Sequence, residues 1–129
     1  MYYPRSISME KKLAVSLDRN CSMELMAAKD TIAILSTKWK IQLITTLNYS
    51  GPLLFMDLIR LVKGIAPKML SKELYDLEIN LLITRTVQPT RPVTDKYELT
   101  PHGKTLERII NEMRVWGKIH RSHILEIED

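Results

Sequence analysis

A chain of 129 residues with a 45% hydrophobic fraction can build one domain around its own core without a disulfide or metal staple. Its one cysteine, Cys21, excludes an intrachain disulfide and fits a reducing compartment, and no stretch nears the ~20 apolar residues of a membrane span. The formal charge of +4 leans toward an anionic partner such as nucleic acid, weakly by itself, because many basic domains bind nothing anionic.

The opening MYYPRSISMEKKL is too polar for a signal peptide, whose apolar centre runs to about 7–15 residues, so a cytoplasmic protein with no membrane association is expected. Residues 9–17 predict a short helix that breaks at Asp18-Arg19-Asn20. From 22 to 35, Leu25, Met26, Ile32 and Leu35 recur at helical spacing. Residues 38–47 predict a further helix with Trp39, Leu43, Ile44 and Leu47 on one side, stopped by Tyr49-Ser50-Gly51-Pro52. Leu53-Leu54 is a short extended piece at most, and residues 55–62 predict a short helix with Met56, Leu58, Ile59 and Val62 apolar.

Lys63-Gly64-Ile65-Ala66 then forms a turn, and Pro67 suits a helix start, where its missing N–H would have been unpaired anyway. That helix runs to about Asn80. The period changes next: residues 83–87 and 96–99 predict two short strands, with the polar, proline-containing stretch 88–95 as their hairpin loop. Thr100-Pro101 pairs a hydroxyl cap with proline and opens a last helix over 101–124, striped by Leu106, Ile109, Ile110, Met113, Trp116 and Ile119.

The fold class is therefore mainly α with a small β-hairpin: two helices across a tight turn followed by a wing, the layout of a winged helix-turn-helix. One domain over 1–129 is expected, with an extension at 1–20, a winged-helix core at 38–100 and a C-terminal helix at 101–124. In the helix after the turn, at about 100° per residue, Leu74, Leu77 and Leu81 fall within roughly 40° of Leu70 and make a narrow seam. Lys68, Lys72 and Tyr75 take the opposite side with Ser71 flanking, and Glu73 and Asp76 lie to one side of that face. DNA-reading helices insert such N-terminal residues into a major groove about 12 Å wide. Lys68, Ser71, Lys72 and Tyr75 are the candidate groove residues, and Thr90, Arg91 and Lys96 at the hairpin tip are the candidate backbone contacts. A lysine-bearing helix taken alone is more simply a solvated face; order and spacing together carry the DNA reading.

From Lys38 to His120 the chain resembles the HxlR-type winged helix-turn-helix regulators. The resemblance is carried by Lys38-Trp39, Gly51-Pro52-Leu53 and Phe55, by GIAPKMLSKELYDLE over 64–78, by Arg85, Val87, Pro89, Pro92, Tyr97, Leu99, Thr100 and Gly103, and by Trp116-Gly117. It implies a transcriptional regulator that binds double-stranded DNA at a palindromic operator as a homodimer held by its N- and C-terminal helices. The long stripe on the last helix fits, since it exceeds what one small domain must cover, although any single residue in it is as simply explained by closing the chain's own core.

The chain departs from the family pattern in four places. Ala66 stands where the family has a capping serine, a loss of about 1 kcal/mol, and it leaves N–H groups free to meet a phosphate. Asn80-Leu81 replaces an Asp-Gly turn, so Asn80 is expected to take the left-handed conformation or the helix to end differently. Arg91, Asp95 and Lys96 give the wing a mixed-charge tip. Family members that sense oxidants carry a cysteine where Met26 stands, so the resemblance brings no sensing role to Cys21. Cys21 itself is the candidate redox residue, a thiol switch across the dimer, against the simpler reading of a small helix-flanking residue; such a switch requires a lowered thiol pKa.

An enzyme is not expected: there is no phosphate-binding glycine loop, nucleophile motif or carboxylate constellation. His120 and His123 share a metal-compatible spacing without an acidic or thiol partner, and neither a metal nor a cofactor is expected. The rival class is a winged helix that binds protein without specific DNA binding. The outward lysines favour DNA.

Overall fold

The structure, a computed structural model, describes residues 22–128, so the helix predicted over 9–17, the break after it and Cys21 lie outside the described residues. Residues 22–35 form helix α1, as their apolar spacing predicts. Among the described residues, this helix belongs to one unit, which ends at residue 36, and the residues from 37 onward belong to a second. Met23, Leu25, Met26 and Ile32 of α1 are all exposed.

The second unit opens with α2, Lys38–Ser50, capped by Thr37, whose Oγ1 accepts from the Lys40 N–H at 3.3 Å. Its buried face is Lys40, Leu43, Ile44 and Leu47, and Trp39 is half-buried. The helix passes the predicted end at Leu47 because the stop is a single residue: Gly51, at φ 80°, turns the chain while its N–H still bonds the Leu47 carbonyl at 2.9 Å.

Strand β1, Leu53–Leu54, leads into α3, Phe55–Leu61, where Asp57 Oδ2 accepts from the Leu54 N–H at 3.0 Å. Helix α4, Pro67–Ile79, follows the turn. Strands β2, Ile83–Gln88, and β3, Thr94–Leu99, run antiparallel, both longer than predicted. The wing is also a three-stranded sheet in the order β1-β3-β2, because Leu53 and Leu54 pair with Tyr97 and Lys96. A two-residue strand has no stability alone and forms here only because β3 offers it a free edge.

The predicted last helix is broken into α5, Pro101–Lys104, and α6, Leu106–Glu128. Thr105 makes the break: its N–H and its hydroxyl both donate to the His102 carbonyl, tightening the first turn. The core gathers Leu43, Ile44 and Leu47 from α2, Leu58 and Val62 at α3, Leu70, Leu74 and Leu77 from α4, and Leu82, Ile83, Leu99 and Leu106 around the wing. Burial of each such side chain contributes about 1.5–3 kcal/mol, so this cluster is what seats α4 against the domain.

Candidate nucleic-acid interface

Helix α4 starts without a side-chain cap: Ala66 is the N-cap and Pro67 follows it. Its inner face is Leu70, Glu73, Leu74 and Leu77, all buried. Lys68, Ser71, Lys72 and Tyr75 are all exposed, so the structure brings the groove residues predicted on this helix to one outward face.

Two details of the predicted seam are corrected. Leu81 is not part of it: it lies past the helix end and is 71% exposed. Glu73 does not flank the outward face but is 0% exposed, inside the leucine layer. Its Oε2 accepts from the Thr37 hydroxyl, and Oε1 has no hydrogen-bond partner among the described residues. One turn on, Asp76 pairs with the buried Lys40, Nζ to Oδ2 3.5 Å.

The expectation for the end of α4 also fails. Asn80 is an ordinary C-cap at φ −82°, and Leu81 takes the left-handed conformation at φ 63°. The hydrogen bonds explain why: the Leu82 N–H reaches the Leu77 carbonyl at 3.0 Å and the Leu81 N–H reaches the Glu78 carbonyl at 3.0 Å. That pair defines a Schellman ending, whose geometry requires positive φ at position 81 whatever residue stands there. Buried Leu82 and Ile83 hold the chain to this path, and the Thr100 hydroxyl donates to the Leu81 carbonyl at 2.7 Å.

On the wing, Arg91 is exposed between the strands, and the Thr90 hydroxyl donates to the Pro92 carbonyl at 3.0 Å. Lys96 is not at the tip as predicted. It sits half-buried within β3, opposite Leu54 on one side and Thr86 on the other. Strand alternation turns it to the sheet face opposite Asp95 and Tyr97. Lys68, Lys72, Arg91 and Lys96 form no salt bridge among the described residues, which leaves their charges available to an anionic partner.

Sequence reasoning missed the residue that joins the helix to the wing. Arg85 reaches Glu78 of α4 at 3.7 Å and Asp95 of β3 at 3.5 Å. No sequence signal pairs these residues, since their proximity depends on strand register. They line a cleft of about 540 Å³ with Ser71, Tyr75 and Tyr97. Burial pushes the Tyr97 phenol above its ordinary value of 10.0, and the Asp95 carboxylate adds to this.

Along α6, Ile109, Met113, Trp116 and Ile119 are exposed, and Ile109, Met113 and Trp116 help line a groove of about 840 Å³. Trp116 stacks on His120 at 4.7 Å between ring centroids. Among the described residues no group of acidic, histidine or cysteine side chains could hold a metal ion, and no helix is long and apolar enough to cross a membrane.

The profile of the HxlR-like helix-turn-helix family matches residues 34–124. An HTH-type transcriptional regulator of Methanothermobacter thermautotrophicus is 34% identical over 103 residues, 80% of this chain and 74% of that one. The HTH-type transcriptional regulator YodB of Bacillus subtilis is 32% identical over 69% of this chain and 79% of its own length. Among solved structures, the redox regulator HypR in its reduced form superposes with a TM-score of 0.69 at 29% identity, covering 78% of this chain and 98% of that one.

Proposed function

Because the chain belongs to the HxlR-like helix-turn-helix family of transcriptional regulators, we propose that two copies pair and bind a palindromic DNA operator. The observation that carries this reading is the outward face of α4, where Lys68, Ser71, Lys72 and Tyr75 stand together with no acidic partner for either lysine among the described residues. The face enters the major groove, Lys68 and Lys72 meet guanine edges or phosphates, and Ser71 and Tyr75 bond to either. Arg91 contacts the flanking backbone from the wing. Lys96 reaches a phosphate only along the sheet face on which it lies. The uncapped N–H groups after Ala66 offer the same strand a further anion site.

Pairing is supported by the apolar surface that α6 leaves open at Ile109, Met113, Trp116 and Ile119, and by the exposed Met23, Leu25, Met26 and Ile32 of α1. Isolated exposed apolar residues need no explanation, but a sustained stripe marks an interface. A two-fold pair sets its recognition helices about 34 Å apart, in successive major grooves. The protein acts by binding and not by catalysis, in the cytoplasm where its operator lies.

Selection of bound sequences from random duplex DNA, with binding repeated at several salt concentrations, tests the proposal. A palindrome should be enriched, and each neutralised phosphate should contribute about −0.9 to the slope of log K against log salt. A flat salt response with no enriched sequence would favour the protein-binding alternative.

A further inference from the structure

We propose that Glu73 is a positioning residue for DNA reading: it locks the rotation of α4 to the first turn of α2 through Thr37. The role rests on the regulator reading above. A seam of Leu70, Leu74 and Leu77 alone would seat the helix, yet apolar contact is non-directional and tolerates a small roll. Hydrogen bonds have narrow angular preferences and do not.

Position 73 continues that seam, and a leucine there would avoid the cost of removing a carboxyl group from water. Glu73 is nevertheless 0% exposed, with Oε1 left without a hydrogen bond among the described residues. A group retained under that penalty gains from its one directed contact, the hydroxyl of Thr37. Thr37 is in turn the N-cap of α2, its oxygen accepting from the Lys40 N–H. The bonds run in series from helix α4 to the backbone of α2, and they place an acidic group at the positive end of the α2 dipole. The Lys40–Asp76 pair repeats the link one turn further along the same two helices. Lys72 adjoins Glu73 in the chain, about 100° around the helix, so any roll released at Glu73 re-aims the outward lysines directly.

The test compares operator affinity with affinity for random duplex DNA in the full chain, for Glu73→Leu, Thr37→Val and Glu73→Gln. Glu73→Leu and Thr37→Val should each cut the preference for the selected operator roughly tenfold, the scale of one mismatched base pair, while random-duplex affinity stays within about twofold. The double variant should lose little more than either single one, because both remove the same link. Glu73→Gln keeps an acceptor for the Thr37 hydroxyl and should restore most of the preference, which a requirement for mere packing would not produce. Thermal melting of each variant identifies any loss that comes from unfolding, and Glu73→Gln and Thr37→Val carry the test if Glu73→Leu melts early. Full operator preference in folded Thr37→Val, or an equal fall in specific and random binding, overturns the proposal. An unaltered protein that binds no DNA overturns the regulator reading and the positioning role with it.

Discussion

The carbonyl oxygen of Leu82 stands 2.1 Å from the point where a Cβ on Gly103 would lie, so α5 and the end of α4 approach as closely as backbone allows. The same carbonyl accepts from the Thr100 N–H at 3.0 Å, which ties the root of the wing to the start of α5. Gly103→Ala cannot fit without parting these segments. It should lower the unfolding free energy by about 1–3 kcal/mol, the usual cost of overpacking, read as a shift in the urea midpoint.

Leu81 offers the opposite opportunity. Its φ of 63° costs a side-chain-bearing residue about 1–2 kcal/mol, and its exposed side chain contributes little burial in return. Leu81→Gly should raise stability by about 1 kcal/mol after allowing for the greater freedom of glycine in the unfolded chain. Urea unfolding measures it, and operator binding should be unchanged because position 81 lies beyond the outward face of α4.

Trp116 and Met113 test the proposed pairing. Each lines the open groove on α6 and neither belongs to the buried core, so Trp116→Glu and Met113→Glu should leave the fold intact. Sedimentation should show particles of twice the chain mass for the unaltered protein and of one chain for the variants. Operator affinity should fall with the loss of pairing.

Tyr97 gives a pH signature. Burial, with Asp95 nearby, raises its phenol above 10.0 in the folded protein, so the folded state holds this proton more tightly than the unfolded state does. The stabilisation is complete below about pH 10 and is lost as pH rises through the folded value. Stability of the unaltered protein should therefore fall more steeply than that of Tyr97→Phe between about pH 9 and pH 11, when urea midpoints are compared.

The helices that seat and present the outward face of α4 were legible because their signal is local. Leucines at helical steps define the buried sides of α2 and α4, and the same wheel places Lys68, Ser71, Lys72 and Tyr75 outward. What sequence reasoning misplaced depends on partners distant in the chain. Strand β1 exists only through β3, and the position of Lys96 follows from the true strand ends. Glu73 is buried because Thr37 awaits it across the helix pair. Leu81 takes an unfavourable φ because Leu82 and Ile83 are fixed in the core. The break at Thr105 is local, but its bonds to the His102 carbonyl leave no mark in apolar spacing.

The salt dependence of operator binding, measured for the unaltered protein and for Lys72→Ala, tests most directly whether the outward face of α4 meets DNA. A lysine that meets phosphate should contribute about 0.9 to the slope of log K against log salt, so its removal from both copies of a dimer should flatten the slope by about 1.8 and weaken binding on every sequence. A lysine that meets a base edge should instead relax the preference at one operator position. Binding by Lys72→Ala that matches the unaltered protein in slope, affinity and sequence preference would contradict the account.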